Sequence, residues 1–268
     1  MTAPSMQPVA AMPRATRVAI RGVLADIDDT LTTDGRLTSQ AYVALERLSA
    51  TGKLVVPITG RPAGWCDHIA RMWPVDAVVG ENGAFWMRYD RKARKLEKRF
   101  TADDDARRAN RARLAAIGEK ILRAVPGAAL ASDQHYREAD LAIDFREDVP
   151  ELPRAAVDRI VALMEAEGMT AKVSSIHVNG WFGAWDKLTM TRRLFADAFG
   201  IDLDAGRERF VFVGDSPNDA PMFEFFPNSV GVANIREFAD RIPMLPAYVT
   251  ACGGGEGFAE VADFLLGA

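Results

Sequence analysis

From Arg17 onward, short apolar and β-branched runs alternate with segments whose apolar positions recur at helical spacing. Residues 18–25, 53–58, 77–79, 210–213 and 229–233 read as short strands, apolar enough to be covered on both faces. Residues 39–50, 62–72, 187–199, 217–226 and 257–266 read as helices. This alternation predicts a doubly wound α/β fold, a parallel Rossmann-like sheet with helices on both sides. Ligands of such sheets lie at the carboxyl ends of the strands, so chemistry is sought just after each one.

The alternation stops between Trp86 and Trp181. Residues 85–100 predict a hairpin turning at Asp90 to Lys92. Residues 102–125 predict a long amphipathic helix, opened by Asp103, Asp104 and Asp105 as the helix dipole favours. A strand at 141–145, a helix at 153–167 and a strand at 172–178 follow. The pattern predicts an inserted α/β domain over 87–180 and a core built from 17–86 and 181–268. Residues 1–16, with prolines at 4, 8 and 13, read as a disordered tail.

Charge and composition narrow the function classes. Against 37 Asp and Glu stand 33 Lys and Arg, a formal charge of -4, which argues against a polybasic nucleic-acid binder. The longest stretch without charge, 242–255, is 14 residues interrupted by Pro243 and Pro246. A membrane span needs about 20 apolar residues, so no membrane segment is expected. The first thirteen residues lack Lys and Arg and carry no apolar run of the secretion-signal type. Cys66 and Cys252 match no zinc spacing; they suggest a cytoplasmic, reducing setting with both thiols packed inside.

Three strand ends and one helix start carry chemistry-bearing residues. The first runs into Asp26-Ile27-Asp28-Asp29, where Asp26 and Asp28, two apart on an extended chain, can face one site. Alone, such a pair is equally a solvated turn. The second ends in Thr59-Gly60-Arg61-Pro62, a hydroxyl and a close turn before a helix N-terminus, which would suit a phosphate or simply make a strand-to-helix turn. Lys187 opens a helix, against the dipole, as a surface lysine or as the partner of an anion. The last strand ends in Gly214-Asp215-Ser216-Pro217-Asn218-Asp219. Oxygen ligands without Cys or His suit magnesium.

Together the segments resemble the four motifs of the haloacid dehalogenase superfamily, in order: Asp26-Ile27-Asp28, Thr59-Gly60-Arg61, Lys187 and Gly214 to Asp219. The insertion between the second and third motifs, and Gly80-Glu81-Asn82-Gly83-Ala84, are similar to the type IIB, or Cof-like, branch. Within it, the last motif and the stretch from Ala247 to Glu260 resemble mannosyl-3-phosphoglycerate and sucrose phosphate phosphatases. Two departures stand out: Asp29 where the family usually has glycine, and Leu188 where it often does.

The resemblance implies a magnesium-dependent phosphomonoesterase acting on a small phosphorylated metabolite, a sugar phosphate or glycosyl phosphoglycerate, as a monomer or homodimer. It implies Asp26 as nucleophile and Asp28 as acid and base, and magnesium held by Asp26, the Asp28 carbonyl, Asp215 and Asp219. Thr59, Gly60, Lys187 and Asn218 would bind the phosphoryl group. The insert would be a cap, with Arg61, His177 and Asn179 as candidate substrate contacts; His177 and Asn179 could equally be packing residues. Alternatives on the same residues are a phosphosugar mutase, a receiver-like phosphoacceptor and a silent scaffold. Receivers are about half this size and place their second acidic site before Thr and Lys.

Overall fold

The computed structural model describes residues 6–267. Its central sheet has six parallel strands in the order Gln7–Pro8, Tyr248–Val249, Ser229–Gly231, Phe210–Gly214, Gly22–Ala25, Leu54–Pro57. The middle strands are apolar along their whole length because both faces are covered. Side chains alternate between the faces. Val23, Ala25, Val211 and Val213 join one apolar cluster with Leu45, Leu48 and Phe258, from helices Ser39–Ala50 and Gly254–Leu266. Leu24, Phe210 and Phe212 join the other, with Met190, Leu194 and Phe223 from Lys187–Leu194 and Ala220–Phe225. This is the doubly wound core that the pattern predicts.

The amino-terminal segment differs from expectation. Residues 7–16 are not a disordered tail: Gln7–Pro8 is the edge strand on Tyr248–Val249, and Val9 and Met12 are buried in the first cluster. Two apolar anchors and a two-residue strand are too little for periodicity to register. Residues 1–5 of the expected tail lie outside the described residues.

Between the second and third motifs the chain leaves the core in two stages. Val78–Gly80 extends the core through a parallel bridge from Val79 to Ile58. The hairpin Phe85–Asp90 and Lys95–Phe100 pairs antiparallel with it, so by pairing the hairpin is continuous with the core rather than with the insert expected from residue 87. The insert's own sheet is antiparallel, in the order Thr170–Val173, His177–Trp181, Asp140–Asp144, Ala129–Leu130. Helices Asp104–Ala124 and Arg154–Ala166 cover one face, where Leu141, Ile143 and Val178 meet Leu114, Ile121, Ile160 and Met164. Asp140, Asp144, His177 and Asn179 fall on the alternate positions and so on the opposite face. All four are buried, and their side-chain partners come from the insert itself: Arg137 and Asn179 for Asp140, the amides of Arg146 to Asp148 for Asp144, and Glu147 for His177.

No helix among the described residues is long and apolar enough to cross a membrane. Cys66 is buried as expected, whereas Cys252 is exposed, placed in the turn before the last helix.

Candidate active site

The strands Gly22–Ala25 and Phe210–Gly214 are neighbours in parallel register, so Asp26 and Asp215 emerge side by side. The amide of Asp26 donates to the Val213 carbonyl at 2.9 Å, which extends the ladder to the first acid. Oxygens of Asp26, Asp215 and Asp219 lie within 4.8 Å of one another, all three residues buried. Lys187 joins them from a different element: its Nζ is 2.6 Å from Asp219 Oδ1 and 3.1 Å from Asp26 Oδ1, and the residue is 2% exposed. The lysine at the helix start is therefore the partner of buried acids, not a surface charge.

Each carboxylate is held differently. Asp215 Oδ1 accepts the Thr30 hydroxyl at 2.9 Å, and Asn234 Nδ2 donates to its other oxygen at 3.5 Å. Asp219 Oδ2 accepts the amides of Asp215 and Ser216 at 3.1 and 3.4 Å, while Lys187 takes Oδ1. Gly214 makes this fit possible, since a Cβ there would stand 2.4 Å from Asp219 Oδ2. No amide or hydroxyl among the described residues donates to the Asp26 carboxylate, whose buried Oδ1 meets the Lys187 ammonium 3.1 Å away. Burial pushes the Asp26 carboxyl up to about 8 against the pull of Lys187, and pushes Asp215 well above the ordinary range. The same burial acts on Lys187, but Asp219 and Asp26 outweigh it and raise its pKa.

With all three carboxylates ionised, one ammonium would leave two negative charges uncompensated, a cost in a low-dielectric interior that either protonation or a bound cation removes. The donors are all hard oxygens. Asp26, held only by Lys187, and Asp215 are the residues best placed to hold a divalent cation; Asp219, saturated by Lys187 and two amides, supports from behind.

The second motif closes the other side. Thr59 is fully buried and its hydroxyl accepts the Arg61 amide at 3.0 Å. Asn218 donates to Asn82 at 3.2 Å and receives the Ser216 hydroxyl at 2.9 Å. A Cβ on Gly60 would sit 3.1 Å from Asn82 Nδ2, a buried donor with no partner among the described residues. Asn82 and the neighbouring Glu81 both take positive φ, 52° and 45°. The Glu81 carboxylate accepts the amides of Ala63, Glu138 and Ala139, joining the insert to the core. Burial raises its pKa to about 8. The segment 80–84 carries a family resemblance in the sequence, but no residue pattern there announces these roles.

The residues expected to meet a substrate divide into two groups. Arg61 is 4% exposed, with donors directed at Asp28, Asp133 and Glu147, so it is committed to carboxylates rather than free for a ligand. His177 faces the same cluster, its Nε2 2.9 Å from Glu147 Oε2. Asn179 lies deeper: it donates to Asp140 at 2.9 Å, beside Arg137, whose Nη1 reaches the Gly60 carbonyl at 2.8 Å. Asp29 has φ 54°, the left-handed conformation a glycine takes readily and aspartate tolerates, so the departure from the family pattern preserves the turn. Thr30, Asn234 and Glu147 belong to the site although nothing in the sequence marks them.

A profile of the haloacid dehalogenase-like hydrolases matches residues 23–109. The chain is 28% identical over 261 residues to a phosphoglycolate phosphatase of Methanothrix thermoacetophila, covering 93% of this chain and 98% of that one. Its fold is similar to a Thermoplasma acidophilum protein (TM-score 0.66, 20% identity, 92% of this chain and 98% of the other). It is also similar to the sucrose-phosphatase of Synechocystis (TM-score 0.59, 16% identity, 91% of this chain and 98% of the other). The four motif segments thus meet at one strand-end site, and the chain is similar to the haloacid dehalogenase-like hydrolases over residues 23–109 and to a phosphoglycolate phosphatase over most of its length.

Proposed function

We propose that this protein is a magnesium-dependent phosphomonoesterase that cleaves a small phosphorylated metabolite through an aspartyl-phosphate. The observation that carries the reading is the buried cluster itself: the Asp26 carboxylate, paired with one ammonium and bound by no amide or hydroxyl among the described residues, beside two further acids. Asp26 attacks phosphorus; as that O–P bond forms, the bond to the leaving alcohol breaks and Asp28 supplies the alcohol's proton. Asp28 then takes a proton from the water that cleaves the acyl phosphate and returns Asp26. Lys187, Thr59 and Asn218 bind the phosphoryl oxygens, with Gly60 allowing close approach. When bound, magnesium lessens the repulsion between Asp26 and the phosphate dianion.

The leaving group is proposed to occupy a cleft of about 470 Å³ between the core and the insert, lined by Asp28, Asp29, Asp34, Arg36 and Arg146. Walls so rich in charge suit a polar, hydroxyl- or carboxylate-bearing group of metabolite size. That agrees with the named activities of the similar proteins, a phosphoglycolate phosphatase and a sucrose-phosphatase. In this reading the insert is a cap that excludes water and selects the leaving group.

The test is a screen of sugar phosphates, 2-phosphoglycolate and 4-nitrophenyl phosphate. Hydrolysis is expected with magnesium and none in excess chelator; calcium should inhibit, because its looser coordination fails to hold in-line geometry. Full activity in chelator contradicts the metal assignment, and no hydrolysis of any phosphomonoester contradicts the function.

A further inference from the structure

The Arg61 guanidinium sits where core and insert meet, and both units supply its partners. From the core, Asp28 accepts from Nε at 2.9 Å and from Nη2 at 2.7 Å. From the insert, Glu147 Oε1 accepts from Nη2 at 2.5 Å, Glu147 Oε2 from Nη1 at 3.3 Å, and Asp133 from Nη1 at 3.4 Å. The Trp65 ring, 4.5 Å away, covers one face. Arg61 thus has little freedom to turn, and its planar fork dictates where the Asp28 carboxylate lies.

Glu147 is itself held. The loop that carries it follows the strand Asp140–Asp144, and Asp144 accepts the amides of Arg146, Glu147 and Asp148 at 2.8 Å each. His177, from the adjacent strand, stands 2.9 Å from Glu147 Oε2. The insert therefore presents a fixed carboxylate to a core arginine whose other end grips Asp28.

We propose that Glu147 is a positioning residue: seated with the insert, it fixes Arg61 and, through Arg61, the carboxylate of Asp28. Proton delivery to the leaving group then depends on the insert being docked, which couples substrate enclosure to chemistry. The proposal rests on the phosphomonoesterase reading, in which Asp28 passes its proton to the leaving oxygen as the P–O bond breaks. Without Glu147 the fork keeps Asp28 and Asp133 alone, and Asp28 loses the alignment that proton transfer demands.

Leaving groups report this role. An aryl oxide departs with little help, whereas an alkoxide needs the proton, so a misaligned Asp28 penalises alkyl phosphates selectively. The experiment measures kcat/KM, which ends at enzyme phosphorylation and so omits the later water-activating step. The full-length protein with magnesium is compared with Glu147→Ala and Glu147→Gln. Substrates are 4-nitrophenyl phosphate and the alkyl phosphate hydrolysed fastest in the screen above. The alkyl-to-aryl ratio should fall about tenfold in Glu147→Ala, a fraction of what general acid catalysis supplies, and about threefold in Glu147→Gln, which keeps a hydrogen bond to Arg61 but not the charge. Either folded variant decides the matter alone: an unchanged ratio, whether both substrates slow together or neither slows, overturns the positioning role. A wild-type protein inactive on every phosphomonoester overturns this inference together with the reading beneath it, whereas an active wild type with an unmoved ratio overturns this inference only.

Discussion

Asp26→Asn loses about 10³-fold or more in turnover on aryl and alkyl phosphates alike, equivalent to about 4 kcal/mol of barrier. The substitution removes the nucleophile at the one acid of the buried cluster that Lys187 alone holds, and the neighbouring acids are occupied: Asp219 by Lys187 and two amides, Asp215 by Thr30. Asp28→Asn behaves differently, because it removes a proton donor and acceptor that stands outside the buried trio, on Arg61. Phosphorylation of the enzyme by an alkyl phosphate slows strongly, while an aryl phosphate still delivers its phosphoryl group. Water activation then fails, so the aryl substrate gives a burst of phenol followed by slow release of phosphate. Stopped-flow traces of the two variants separate these roles. A burst from Asp26→Asn, or equal slowing of both substrate classes in Asp28→Asn, reverses the assignment.

Removing metal has the second large effect, and its size depends on pH. In the metal-free protein the carboxyls of Asp26 and Asp215 are raised, Asp26 from 3.8 to about 8. A raised carboxyl means that the folded chain binds protons the unfolded chain has released, so its contribution to stability is whole below about pH 4 and shrinks as pH rises toward 8. A divalent cation reverses the preference, since it binds the ionised acids. Metal-free protein should therefore lose stability between pH 5 and 8, and saturating magnesium should restore it, with a shift that grows with pH. At 100 times its dissociation constant a ligand contributes about 2.7 kcal/mol, or roughly 5–10 °C in Tm for a chain of this size. Thermal melts with magnesium and with chelator at pH 5, 6.5 and 8 make the check. A magnesium shift that is absent, or the same at all three values, contradicts a cation among these acids.

Much of this site is legible in the sequence because a parallel sheet converts strand ends into neighbours. Asp26 and Asp215 need only the knowledge that two apolar strands are adjacent and parallel, and their register brings the acids together. Thr59 and Lys187 come from the end of a strand, Leu54–Pro57, and the start of a helix, Lys187–Leu194, at the same edge of the sheet. What escapes the sequence depends on contacts far apart along the chain. Glu147 lies 86 positions from Arg61 and in the sequence is one more acid in a polar loop. Glu81 is an ionisable side chain buried at positive φ, a combination that propensity argues against and that three backbone amides make tolerable. The hairpin from Phe85 to Phe100 is readable as a hairpin, yet which sheet receives it is decided by pairing with Val78–Gly80. The strand Gln7–Pro8 exists only because Tyr248–Val249 offers an edge.

The assignment of Asp26 as the group that receives phosphorus is open to direct measurement. Asp28→Asn, mixed with 4-nitrophenyl phosphate and magnesium and quenched in acid within the burst, is digested and its peptides weighed. The account predicts one added phosphoryl group on the peptide containing Asp26, at the Asp26 side chain, in proportion to the phenol released. Phenol released in a burst with Asp26 unmodified, or with the phosphoryl group on another residue, contradicts it.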